Sequence, residues 1–418
     1  MTNDPVAWLY GLQSHGVKLG LDGIRALLAL LDHPEHAFPS ALVGGTNGKG
    51  SVSAMLDAML RAAGRRTGLY TSPHLVRPNE RIRIAGEDIA TPELRGVLET
   101  VRDACARGLA GGSLAAHPSF FEVMTACALC AFRDAKVDAV VLEVGLGGRL
   151  DATNATEPLA SAIVTVSLDH VGTLGTTLAA IAREKAGIAR AGRPLVSGAS
   201  QPEVVAVLRR RCDELGATFI DARTTELPTG VKLSLDGEHQ RDNARVAVAT
   251  FDAFARAIDL PADPRTARQS LGTVRWPGRL QRIEGAPALL LDGAHNVAGA
   301  EALAAHLARS DGPKPVLLFA AMADKDIAGI LAPLAPHVAG VVTTTPGVLR
   351  AADSLALAAA ARAQGLVAEA EPEPARALER ARALAGPRGL VLVSGSLYLV
   401  GEVATILEGR ATPGPVAL

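Results

Sequence analysis

Aromatic residues are scarce, at 3% of 418 positions, and no charge sign dominates: 42 Lys+Arg stand against 43 Asp+Glu, a net charge of −1. A broad basic or aromatic platform for nucleic acid is thereby excluded. Long apolar runs are also missing. The longest spans 316–323, far short of the ~20 residues needed to cross a bilayer, so a soluble protein with no membrane partner is expected. The opening MTNDPVAWLY carries an acid at Asp4 and no basic stretch before an apolar core. It does not read as a secretory signal, and a cytoplasmic location is expected. Only four cysteines occur, with Cys105 and Cys212 isolated, which leaves no disulfide framework. Cys127 and Cys130 form a C-x-x-C without a second ligand pair. Their i, i+3 spacing suits the buried face of a helix, so core packing is expected rather than metal or redox chemistry.

What is present is length and alternation. At about 150 residues per domain, the chain holds two to three domains with full cores. Short β-branched or Leu-rich runs alternate with longer Ala/Leu/Arg stretches of helical period, the pattern of parallel α/β architecture. Strands are expected at 41–44, 139–144, 162–166 and 194–197, with helices at 51–63, 91–107, 120–133 and 177–189. The stretch 273–285, with Pro277 and Gly278, breaks both patterns and reads as a linker. Beyond it the alternation restarts, with strands near 288–291, 316–320, 341–344 and 390–394. The expected division is 1–272, linker 273–285, and 286–418, with disorder limited to the tail ATPGPVAL.

The strongest chemical signal is Val43-Gly44-Gly45-Thr46-Asn47-Gly48-Lys49-Gly50-Ser51, between a strand and a helix. Glycines let backbone N–H groups turn toward an anion, the helix N-terminus adds positive potential, Lys49 can reach β/γ phosphates, and Ser51 can approach Mg²⁺. Gly50 separates Lys49 from Ser51, a departure from the usual phosphate-loop spacing. A nucleoside triphosphate is the expected ligand. In LEVGLGGRLDATN (142–154) an acid ends an apolar strand, where sheet ligands bind, and Glu143 could hold Mg²⁺; such glycine loops also serve as plain turns. Ser167-Leu168-Asp169-His170 ends another strand. Taken singly, His170 reads more readily as a capped or core residue than as a ligand, and Lys185 as a solvated charge near a helix C-terminus. The clusters 239–243 and 291–296 are compatible with simple N-capping.

Taken together and in order, these clusters resemble the folylpolyglutamate synthase/dihydrofolate synthase family of Mur-ligase-like ATP-dependent amide ligases. GTNGKGS (45–51), TSPHL (71–75), NERIRIAG (79–86), LEVGLGGRLDATN, LDH (168–170), REKAGIAR (183–190) and LDGAHN (291–296) carry the likeness across about 44–403. The resemblance implies an α/β fold with an N-terminal P-loop domain built on a parallel sheet and a smaller C-terminal Rossmann-like domain, with the active site in the cleft between them. It implies ATP and Mg²⁺ as cofactors, and ligation of L-glutamate to dihydropteroate or reduced folate by a protein commonly monomeric.

Carried over by position, Thr46, Asn47, Gly48, Lys49, Gly50 and Ser51 match the ATP phosphate loop, and Asn243, Arg279 and Asp292 match further ATP contacts. Ser51, Ser72, Glu143, His170 and Lys185 match metal positions, with Lys185 carbamylated in the family. Phe120, Phe121, Glu122, Leu150, Asp151 and Ala152 match the pterin pocket. Lys49, Lys185 and His295 are the catalytic candidates. Alternatives left open are a monofunctional folylpolyglutamate synthase, another Mur-type ligase, and a nucleotide-binding switch. One departure is Val297, where the family commonly has proline after LDGAHN, which puts the rigidity of that turn in doubt.

Overall fold

A computed structural model describes residues 4–15, 19–227, 229–260 and 264–409. The tail at 411–418, expected to be disordered, lies outside the described residues. The chain divides into two compact units. One comprises the described residues of Met1–His74, Pro78–Ser234 and Gln240–Arg275, the other Leu75–Arg77, Leu235–His239 and those of Trp276–Leu418.

The first unit is built on eight strands: β1 (Ser40–Gly44), β2 (Thr67–Tyr70), β3 (Ile82–Ile84), β4 (Glu87–Asp88), β5 (Ala139–Glu143), β6 (Ala160–Ile163), β7 (Leu195–Ser197) and β8 (Phe219–Asp221). They lie in the order β4-β3-β2-β5-β1-β6-β7-β8. Central strands β1 and β5 are buried at every position. Being covered on both faces, they read as continuous apolar runs rather than alternating ones. In register, Val43 lies beside Glu143 and Gly44 beside Ile163. The carboxyl ends of β5, β1 and β6 therefore stand side by side.

Helix Lys49–Ala62 follows β1 and is buried from Gly50 to Leu60. Its one buried acid, Asp57, is held by Arg61 Nε at 2.8 Å and by the Thr67 hydroxyl. Helix Phe120–Asp134 is started by a reciprocal capping box between Ser119 and Glu122. It buries Cys127 and Cys130 in the main core, as their spacing suggested.

The second unit holds β9 (Gln281–Ile283), β10 (Ala288–Leu291), β11 (Val316–Phe319), β12 (Gly340–Thr343), β13 (Ala368–Ala370) and β14 (Leu390–Ser394), in the order β13-β12-β11-β14-β10-β9. Both sheets have the expected parallel core and are mixed only through short added strands. Strands β3, β4 and β9 run antiparallel at the sheet edges. Each is two or three residues long, too short for periodicity to reveal. β9 lies within the stretch read as linker and pairs with β10, Leu289 beside Ile283. Among the described residues no helix is long and apolar enough to cross a membrane.

Candidate active site

The loop after β1 is folded by glycine and tied to the segment after β6. Gly45 sits at φ +146°, and a Cβ there would lie 3.1–3.2 Å from the backbone of Val164 and Thr165. Gly48 caps the following helix at φ +83°; a Cβ would collide with Asn243 Oδ1 and come within 2.8 Å of Val164 Cγ1. Between them Thr46 N donates to Thr165 O at 2.8 Å, and Asn47 N to Thr165 Oγ1 at 2.9 Å. Thr165 Oγ1 donates back to Asn47 O at 3.0 Å, and Ser167 N donates to Thr46 Oγ1 at 3.1 Å. Ser167 Oγ is buried with no hydrogen-bond partner among the described residues. A helix N-terminus, a cradle that any Cβ would fill, and an orphaned hydroxyl beside it fit a phosphate-bearing ligand.

Two lysines converge on this loop. Lys49 Nζ, half-buried, donates to Thr46 O at 3.1 Å, and Lys185 Nζ donates to Gly45 O at 2.8 Å. Lys185 is only 3% exposed, against the sequence reading of a solvated charge. Burial, and secondly the charge of Lys49, push its pKa from 10.5 down to about 7. Asn243 donates to Gln240 Oε1 at 2.9 Å, and Gln240 Nε2 reaches Ser51 Oγ at 3.4 Å. The polar residues of 240–243 thus buttress the phosphate loop across nearly two hundred positions.

Glu143, at the end of β5, is buried and accepts from Ser72 N at 3.1 Å. His170 is exposed, in the left-handed region at φ 49°, and its backbone N–H donates to the buried Asp169 carboxylate at 2.8 Å. Glu143, Asp169 and His170 do not form a ready-made three-ligand group.

The residues matched to a pterin pocket fall into two roles. Phe121 packs over Gly145, where an added Cβ would meet its ring at 2.6 Å, and lies 6.0 Å from the Tyr70 ring. Phe120 carries the Arg81 guanidinium 5.0 Å above its ring, and Arg81 Nε donates to His74 Nδ1 at 2.9 Å. Leu150 is half-buried and Ala152 buried. The two acids, by contrast, brace the backbone. Glu122 Oε2 accepts from Ser119 N and Oγ, both at 2.8 Å. Asp151 accepts from Leu146 N, Thr153 N and Thr153 Oγ1.

In the second unit the predicted residues gather after β10. Asp292 accepts from Leu280 N and Ala294 N, both at 2.9 Å, and Gly293 N donates to Gly278 O at 2.9 Å. The side chain of Arg279 lies against Gly293, and His295 Nδ1 is 2.8 Å from Gly293 O. Asp292 therefore holds together the two loops carrying Arg279 and His295. At Val297 the missing proline is offset by Asn296, whose Oδ1 caps helix Val297–Leu307 through Gly299 N at 2.9 Å.

A model of the Mur ligase glutamate ligase domain matches residues 278–397. The dihydrofolate synthase/folylpolyglutamate synthase of Bacillus subtilis is 32% identical, the match covering 97% of this chain and 99% of its own length. The chain belongs to the folylpolyglutamate synthase/dihydrofolate synthase family. The "Probable bifunctional folylpolyglutamate synthase/dihydropteroate synthase" of Haloferax volcanii is 37% identical over 98% of this chain, which spans about half (51%) of that protein's length. Among solved structures of the family, the Mycobacterium tuberculosis folylpolyglutamate synthase complexed with ADP matches with TM-score 0.87 and 34% identity, over 98% of this chain and 100% of that one. An Escherichia coli member in complex with DHPP and ADP matches with TM-score 0.86 and 30% identity, over 98% of both chains.

Several residues that hold this family member's site were not singled out from sequence. Thr165, Asp169 and Gln240 all contact or flank the phosphate loop, and Arg81 joins the aromatic cluster of Phe120. Asp169 and Gln240 lay inside clusters already noted, so a polar residue inside a matched motif was the available signal. For Thr165 there was none, because its role is a pairing across 118 positions. Gly48→Ala is expected to break the loop: the φ of +83° and the collision with Asn243 leave a Cβ no place. ADP affinity measured by calorimetry should fall about tenfold or more, as an energy cost of ~1.4 kcal/mol implies, with helix content by circular dichroism retained.

Proposed function

We propose that the chain ligates L-glutamate to the carboxylate of dihydropteroate and of reduced folates, driven by ATP. The observation that carries the reading is the convergence of Lys49, Lys185, Asn243 and the Thr165–His170 segment on one glycine loop at the carboxyl end of the sheet. Family membership and relatives that hold ADP and DHPP support it.

Carboxylates do not condense with amines at neutral pH. The γ-phosphoryl group passes first to the acceptor carboxylate, giving an acyl phosphate and ADP, and the glutamate nitrogen then displaces phosphate through a tetrahedral intermediate. Little covalent work falls to the protein. The N–H groups of 48–51 at the helix N-terminus and the Lys49 ammonium receive the phosphates and balance charge as it develops, while those of Thr46 and Asn47 fix the loop to Thr165. Glu143, with Ser51, Ser72, His170 and Lys185, supplies the positions that would hold Mg²⁺. When bound, the ion neutralises phosphate charge. Phe120 and Phe121 would lie along the pterin, with Leu150 and Ala152, while Glu122 and Asp151 keep the surrounding loops in place. Arg279 and Asp292 are assigned to the nucleotide, and His295 to the γ-phosphate or acyl phosphate, by resemblance. The protein is read as a cytoplasmic monomer.

The test is ADP release with ATP, Mg²⁺ and L-glutamate, offering 7,8-dihydropteroate or tetrahydrofolate as acceptor. Turnover with both is expected. Turnover with tetrahydrofolate alone would make the chain a monofunctional folylpolyglutamate synthase, and slow hydrolysis indifferent to glutamate would make it a nucleotide switch.

A further inference from the structure

The turn between helix Asp22–Leu30 and β1 reads Asp32-His33-Pro34-Glu35-His36, and no step of the ligation uses it. It gathers three metal-binding side chains at one point. His33 Nδ1 lies 2.9 Å from Glu35 Oε1, and His36 Nε2 lies 3.7 Å from the same oxygen. One ligand atom from each residue falls within 4.8 Å of the other two. The imidazole rings are stacked, 11° from parallel with centroids 5.1 Å apart.

Burial separates the roles of the three. The imidazoles are 51% and 68% exposed, whereas the Glu35 side chain is 6% exposed. Its second oxygen, Oε2, is buried and has no hydrogen-bond partner among the described residues. A buried carboxylate oxygen left without a donor is costly and calls for an explanation, an ion being one. Arg133, whose Nη1 donates to Leu31 O beside this turn, pairs through its Nε with Asp134. An ion pair to a histidine would engage Oε1 only. A cation chelated by both carboxylate oxygens would engage Oε2 as well.

We propose that His33, Glu35 and His36 bind one divalent transition-metal ion of the zinc class, at a site separate from the residues assigned to ATP, Mg²⁺ and pterin. Two imidazoles and a carboxylate suit Zn²⁺ and its neighbours, while hard Mg²⁺ prefers an all-oxygen shell. Bond lengths of about 2.0–2.1 Å in a tetrahedron place ligand atoms roughly 3.3 Å apart. The 2.9 and 3.7 Å from the two imidazoles to Glu35 Oε1 bracket that spacing, and the imidazole nitrogens, within 4.8 Å of each other, would turn toward the ion as they close on it. The two imidazole nitrogens and both Glu35 oxygens supply the donor atoms, and the bound ion ties the turn that enters the central strand β1.

The test uses the full chain, stripped with a chelator and titrated with Zn²⁺ by calorimetry in excess Mg²⁺. Wild type is expected to show one Zn²⁺ event that His33→Gln and His36→Gln each weaken by at least the ~10–100-fold lost with an outer-shell metal partner. Glu35→Gln should do the same. Because both histidines are exposed, their variants are expected to melt like the metal-free wild type by circular dichroism, so they carry the test even if Glu35→Gln loosens the turn. Glutamate-dependent ADP release should be unchanged in the histidine variants. Zn²⁺ binding identical in wild type and the histidine double variant, or no Zn²⁺ event in wild type, would overturn the proposal.

Discussion

Lys49→Ala is expected to lower glutamate-dependent ADP release by about 10³-fold or more, the scale of removing one charge-stabilising group from a phosphoryl-transfer site. The half-buried ammonium stands at the first turn of helix Lys49–Ala62, with Thr46 O at 3.1 Å. That places it on the loop where negative charge must be balanced during transfer. Partial shielding from water strengthens its field, so no bulk cation can replace it. Lys49→Arg keeps the charge on a larger, planar head and should recover only part of the rate. A wild-type rate in Lys49→Ala would remove this residue from the site.

Lys185→Arg is the second substitution expected to disable the enzyme, by about 10²-fold, even though it preserves a positive charge. Burial and Lys49 hold the Lys185 ammonium at a pKa of about 7, so near neutrality much of this side chain is the free amine. Only the free amine attacks CO₂: a C–N bond forms, one proton leaves for solvent, and the product is an N-carboxylate. The nitrogen retains one N–H, enough to keep its bond to Gly45 O, and the new carboxylate supplies hard oxygens beside the phosphate loop. The sign with pH follows directly. Below about pH 7 the ammonium form dominates and carbamylation is lost; above it the amine is free and carbamylation is favoured. The expected observation is density for a carboxylate beyond Nζ in crystals grown at neutral or alkaline pH, corresponding to roughly 43 Da for CO₂ less a proton. Arginine cannot form this group. Bare ammonium density together with full activity of Lys185→Arg would count decisively against it.

Lys185 also shows where sequence reading stops. A lysine in the last turn before Gly187 has the local pattern of a solvated charge complementing a helix dipole, and only its neighbours in space make it buried. Glu122 has a structural role beside the one its motif match implies. Its motif match points to a substrate contact, and with Ser119 three residues earlier it also forms a capping-box pair. The short strands β3, β4 and β9 escaped notice because two or three residues cannot establish a period of two. The fully buried central strands β1 and β5, by contrast, were evident as apolar runs.

The local order of this protein was determined by its sequence alone: alternating strands and helices, a glycine loop between β1 and its helix, and two cysteines on a buried helical face. Those features depend on φ preference, side-chain period and turn chemistry, which act over a few residues. What only the tertiary structure decided is which distant groups share that loop. Thr165, Lys185, Gln240 and Asn243 reach it because β1 lies beside β6 and the following helices fold back over the sheet's carboxyl end. The unusual acidity of Lys185 and the orphaned oxygen of Glu35 arise in the same way, since desolvation is set by packing and no window of sequence contains it.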